Sequence, residues 1–98
     1  MQDQLRIYTI KPGEMREWLD EWRRFIAPLR RETGFEILGA WTIEAENRFV
    51  WILRYVGPKS WQEADAAYYA SPARAAMQPD PARHIAKQES WLLKQAPQ

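Results

Sequence analysis

The chain has 98 residues, enough for one domain but few with which to cover a sheet on both sides. At 46% hydrophobic and 28% charged it has the composition of an ordinary folded domain, which excludes a disordered segment. Its net charge of +1 arises from interspersed acidic and basic residues that offer no basic face to nucleic acid, and the lack of cysteine excludes disulfides, thiolate catalysis and thiolate-held zinc.

Leu5 to Ile10 alternates, with Leu5, Ile7 and Thr9 on one side and Tyr8 and Ile10 on the other, and reads as a strand stopped by Pro12-Gly13. From Met15 the period changes to that of a helix. Met15, Trp18, Leu19, Trp22, Phe25, Ile26 and Leu29 form its apolar stripe. Pro28 should bend the last turns by removing a donor and crowding the Arg24 carbonyl, and Gly34 ends the helix. Phe35 to Ile43 is a second strand, with Ile37, Trp41 and Ile43 expected on one face and Leu38 and Ala40 on the other. Gly39 inside it suggests a bulge or the close approach of backbone or a ring. Glu44-Ala45-Glu46-Asn47 makes a polar hairpin into a third strand, Phe49 to Val56, which is apolar on both faces. Ser60 with Glu63 forms a capping box for another helix, and Ser71-Pro72 and Asp80-Pro81 are two further N-cap and proline pairs. The tail Glu89 to Leu93 has the bulk for a last strand, with helix as the alternative.

Strand, helix, strand, strand, helix, strand is the ferredoxin-like order: an α+β fold with helices on one face of a four-stranded antiparallel sheet. The other face then carries apolar rows that call for a second copy of the chain. No apolar run reaches membrane-spanning length, and no signal or transit segment is legible ahead of the first strand. The expectation is a single cytoplasmic domain over residues 1–98 that meets neither membrane nor nucleic acid.

Leu5-Arg6-Ile7-Tyr8-Thr9 with Pro12-Gly13, Pro28-Leu29 before Gly34-Phe35, Gly39-Ala40-Trp41, Phe49-Val50-Trp51-Ile52, Ala67-Tyr68-Tyr69 and Pro79-Asp80-Pro81 together resemble the NIPSNAP family. The resemblance spans Leu5 to about Leu93 and implies a dimeric α+β barrel, two ferredoxin-like sheets packed face to face. It imports a fold and a dimer but no mechanism. Related barrel families include cofactor-free oxygenases, so the catalytic alternative is an oxygenase or isomerase. The non-catalytic alternative is a protein-interaction module.

His84 is the only histidine, near the start of a short helix, and an imidazole there can move a proton or sit as a structural hydrogen-bonding group. Arg83 beside it has the planar fork that holds a carboxylate. Tyr68 and Tyr69 point to different sectors of their helix, and Asp65 stands four residues before Tyr69 as a partner for its hydroxyl. With Tyr8 and Trp41, these residues are the candidates to line a small-molecule site between sheet and helices, for an apolar or aromatic ligand. Arg6 and Arg54 are expected near one end of the sheet, where they could bind an anion or pair with carboxylates. No His-x-x-x-His spacing or phosphate loop is present, so neither metal nor cofactor is expected. A closed cavity of roughly 300 Å³ or more between helices and sheet, with His84 at its wall, would favour a ligand site, and a filled core with His84 in solvent the interaction module.

Overall fold

The alternation from Gln2 onward builds β1 (Gln2–Ile10), and Pro12-Gly13 turns the chain into α1 (Met15–Glu21). The helix continues through a π-helical turn (Trp22–Ile26) into α2 (Ala27–Glu32). β2 (Phe35–Ile43), a short 3-10 turn and β3 (Arg48–Tyr55) form the hairpin, with Asn47 in the left-handed conformation. Then follow α3 (Trp61–Ala70), α4 (Pro72–Ala75), a second 3-10 turn (Pro81–His84) and β4 (Ile85–Leu93). These elements come from a computed structural model that describes residues 1–98. All strand pairs are antiparallel in the order β2-β3-β1-β4, which is the ferredoxin-like α+β arrangement. No helix is long and apolar enough to cross a membrane.

The helix stops and starts follow local chemistry. Ser60 accepts from the Glu63 backbone N–H at 3.2 Å, Ser71 from that of Arg74 at 3.2 Å, and Asp80 from that of Ala82 at 2.9 Å. Pro28 has its effect one turn earlier than a simple bend. The chain takes up a wider turn over Trp22–Ile26, where the Ala27 N–H reaches back to the Trp22 carbonyl. This slips the phase of the apolar stripe. Ile26, Ala27, Leu29 and Arg30 are buried, while Phe25 is turned outward.

The helices cover the sheet face that carries Tyr8, Ile10, Phe49, Trp51, Leu53 and Tyr55, and an aromatic cluster fills the space between. Trp18 meets Phe49 and Tyr8 edge to face at 5.5 and 5.6 Å, and Trp22 meets Phe49 and Trp51 at 5.1 and 5.5 Å. The opposite face is not covered by any element of this chain. Cross-strand register places Leu5, Ile7, Val50, Ile52, Trp41, Ile43, Trp91 and Leu93 on it.

Three expectations are corrected by the register. A bulge between Ile37 and Gly39 reverses the parity of β2, so Ile37 packs toward the helices while Trp41 and Ile43 stand on the bare face. Trp41 is 54% exposed there, away from the helix side, and its ring lies over Gly39, where any Cβ would overlap it. Arg6 and Arg54 do not share an end of the sheet. Arg54 lies opposite Asp3 on the bare face and binds it through both carboxylate oxygens at 2.8 and 2.9 Å, whereas Arg6 lies opposite Trp51 under the helices. β4 begins at Ile85, earlier than its apolar tail, because Ile85 to Gln88 already pair with Ile10 to Tyr8.

Phe49 touches both tryptophans of the helix and is fully buried. Phe49→Ala should therefore cost about 3–5 kcal/mol of stability in urea unfolding. A loss below 1 kcal/mol would show a loosely packed cluster.

Candidate functional site

Arg6 points inward from β1 into an otherwise aromatic layer and is 3% exposed. A charge so buried needs every donor occupied. Its Nε donates to Gln4 Oε1 at 2.6 Å, its Nη1 to the hydroxyls of Tyr8 at 3.3 Å and Tyr69 at 3.0 Å, and its Nη2 to Asp65 at 2.9 Å. Asp65, on α3, also accepts from Arg30 Nη1 of α2 at 2.8 Å. One carboxylate thus ties strand and both long helical segments together. The expected Asp65–Tyr69 pairing is instead bridged by Arg6. The Arg30 guanidinium stacks on the Tyr68 ring at 3.7 Å and faces Phe35 at 4.6 Å.

Beside this node is a cavity of about 70 Å³ whose wall includes Tyr8, Trp18, Trp51, Arg30, Tyr68 and Arg74. Tyr69, Ala82 and Gln88 form part of its rim and are exposed. Arg30 Nε, Tyr68 Oη and Arg74 Nε are buried without a hydrogen-bond partner, although the second nitrogen group of Arg74 holds Asp80 at 2.9 Å. Burial opposes the charge on Arg6, but Tyr8, Tyr69 and Asp65 outweigh it and hold the guanidinium more firmly protonated than usual. Burial likewise raises the phenols of Tyr8 and Tyr68, partly offset by Arg6 in the first case and by Arg30 and Arg74 in the second. Both stay neutral donors at physiological pH. A larger groove of about 550 Å³ runs between the helical segment Asp20–Glu32 and Ala73–Pro79. Two of its acids are paired, Asp20 with Arg23 and Arg24 and Glu21 with Arg83, and the third, Glu32, is exposed.

The structure divides the candidate residues. Tyr8, Tyr68 and Tyr69 come together at the cavity, and Asp80 to His84 edges it through Ala82. Arg83 and His84 lie outside it. Arg83 clasps Glu21 through both nitrogens at 2.8 and 2.9 Å. His84 is buried with Nδ1 2.7 Å from Glu14 and Nε2 3.1 Å from Glu21. Donor atoms of Glu17, Glu21 and His84 fall within 4.8 Å of one another, and the Arg83 guanidinium already holds both oxygens of the Glu21 carboxylate. Arg30 and Arg74 carry no sequence signal for this site, whereas Arg6, an anion-binding candidate from the sequence, shares strand parity with Tyr8 and Ile10, a visible sign of inward direction.

Comparison with known families matches NIPSNAP over residues 3–98. The chain belongs to the NIPSNAP family. Solved NIPSNAP structures share its fold. An uncharacterised NIPSNAP domain protein from Burkholderia xenovorans is 22% identical with a TM-score of 0.83, over 98% of this chain and 95% of that one. A NIPSNAP family protein from Agrobacterium tumefaciens is 18% identical with a TM-score of 0.84, over 97% and 92%. A putative antibiotic biosynthesis monooxygenase from Nitrosomonas europaea is 14% identical with a TM-score of 0.70, over 97% and 98%. At these identities the likeness establishes the NIPSNAP fold and leaves the chemistry to the site. No curated protein matches the chain by sequence.

Burial alone would raise the Glu21 carboxyl, but hydrogen bonds from Arg83 and His84 hold it below the ordinary range. A depressed folded pKa stabilises above the unfolded carboxylate value and loses that contribution as pH falls through the folded one. Glu21→Gln should lower stability at neutral pH, and the gap to wild type should narrow below about pH 4. Urea melts across that range check this, and a pH-independent gap would contradict it. His84→Ala removes the ring held between Glu14 and Glu21, leaves Glu21 to Arg83 alone, and should cost about 1–3 kcal/mol in the same assay.

Proposed function

We propose that this NIPSNAP chain is a cytoplasmic homodimer that binds a small molecule with an apolar or aromatic body between sheet and helices. The observation that carries this is a set of residues lining one cavity that hold buried donors without acceptors: Arg30 Nε, Tyr68 Oη and Arg74 Nε, with Trp18 Nε1 and Trp51 Nε1 beside them. Folded interiors pair nearly all such groups, so an acceptor brought by a ligand is the missing half. Trp18, Ile26, Trp51 and Ile85 line the same cavity and would hold the apolar body. Tyr8, Tyr68 and Tyr69 are the polar contacts. The volume of about 70 Å³ falls short of the roughly 300 Å³ expected of a ligand site, and His84 is not on its wall, so the reading rests on the unpaired donors and the enclosed part of the ligand is small. The absence of cysteine accords with a reducing compartment.

The second copy is argued from the bare sheet face. In a two-fold pair each patch meets its own equivalent, so the face must complement itself. Acidic Asp3, Glu36 and Glu89 share it with basic Arg48, Arg54 and Lys87, which leaves no net charge around the apolar rows. Ile52→Glu, near the middle of that face, should yield a folded monomer where the wild type scatters light as a dimer at micromolar concentration. A wild-type monomer under those conditions removes the dimer from the proposal.

The binding reading is tested by ligand-observed NMR with a set of small aromatic and aliphatic compounds. Saturable binders should compete with one another and should be lost in Ala82→Leu, which adds bulk at the cavity wall. Binding that survives this substitution would locate the ligand elsewhere. The catalytic form, a cofactor-free oxygenase or isomerase, draws support from the fold shared with the Nitrosomonas protein. Its mark would be turnover of a bound compound that Ala82→Leu abolishes.

A further inference from the structure

We infer that the ligand is a carboxylate, and that its oxygens are taken by Arg30, Tyr68 and Arg74. This presupposes the cavity as a small-molecule site and adds the chemical class of what enters it.

The inference starts from a charge count around the cavity. Arg6, Arg30 and Arg74 bring positive charge, against the carboxylates of Asp65, shared by the first two, and Asp80, held by the third. Gln4, Tyr8, Tyr68, Tyr69 and Gln88, the other polar neighbours, are neutral. One positive charge is therefore left over in a layer from which water is largely excluded. A monoanion cancels it, whereas a neutral ligand leaves the buried guanidinium groups uncompensated.

Donor geometry selects the same class. Arg30 and Tyr68 are each 1% exposed, each lines the cavity, and each carries a donor with no acceptor among the protein's own groups. Arg74 adds a third unpaired donor on the same wall. With burial holding the Tyr68 phenol neutral, the polar wall offers N–H and O–H groups to the cavity. A carboxylate is acceptor-only and has two oxygens with several lone pairs between them, which matches a fork of guanidinium and hydroxyl donors. An amide or alcohol brings donors of its own. Size agrees too. About 70 Å³ accommodates a carboxylate with a short or flat body and leaves any longer tail to run out past Ala82 and Gln88.

The experiment pairs acids with their neutral counterparts of the same shape. Acetate, propionate and benzoate, and separately acetamide, propionamide and benzamide, are titrated by saturation-transfer NMR at constant ionic strength. The acids should bind saturably in the millimolar range or tighter, and their amides at least about ten-fold more weakly, as loss of a charged hydrogen bond requires. Tyr68→Phe keeps the ring under Arg30 and removes only the hydroxyl. It should weaken acid binding by about ten-fold with an unchanged melting temperature. Arg74→Met should weaken it at least as much, while Arg23→Gln, the same charge change on an exposed helix face, should not alter it. Equal binding of acids and amides, indifferent to Tyr68→Phe, would leave a small-molecule site but overturn the carboxylate. Acid binding unaffected by both cavity variants would overturn the placement. No saturable binding of either series would overturn the carboxylate and the binding reading together.

Discussion

The fold turns on Asp65. A single carboxylate on α3 accepts from a guanidinium of β1 and another of α2, and neither arginine could remain buried without it. Removing it would leave two unpaired charges under the helices, so the node specifies how α3 sits on the sheet as well as holding it there. The same requirement gives the cavity its character. Tyr8 and Tyr69 lend their oxygens to Arg6 as acceptors, whereas Arg30 Nε and the Tyr68 hydroxyl have no partner at all. What looks like structural reinforcement on one side is an unspent set of donors on the other.

The two ends of the helical layer are managed separately. Near its start, Glu14, Glu17 and Glu21 form an acidic row closed by His84 and Arg83 from the turn before β4, which pins the last strand to α1. Beyond the π turn, Arg30 serves the Asp65 node. The wide turn is what allows both. An unbroken α-helix with the phase of Trp18 and Trp22 would not have brought Arg30 inward while turning Phe25 outward.

Much of this was legible in the sequence where the signal is local. The alternation of β1 and β3 and the N-caps Ser60, Ser71 and Asp80 each depend on a few adjacent residues and formed as read, although Glu63 does not return the reciprocal bond of a capping box. The strand order followed from the element order, and the different sectors of Tyr68, buried, and Tyr69, half-exposed, from helix spacing. What escaped reading depends on phase or on distance along the chain. The parity of β2 changes within one bulge, so Trp41 could not be assigned a face without its partner β3. The burial of Arg30 depends on a helix slip, and its partner Asp65 lies thirty-five residues away. The acid row at Glu14, Glu17 and Glu21 was visible as helical spacing, but only the packed turn shows that His84 belongs to it.

The bulge in β2 has one more consequence. A sheet of this order leaves β2 and β4 as open edges, each with backbone groups free to recruit a further strand. β2 is kinked at Gly39 and roofed there by the Trp41 ring, while β4 shifts register where it passes Thr9 and Ile10. Neither edge presents the long straight ladder that a foreign strand needs as a template. A chain that leaves so much apolar sheet uncovered is a natural candidate for fibre growth, and these irregular edges are its defence against lateral polymerisation.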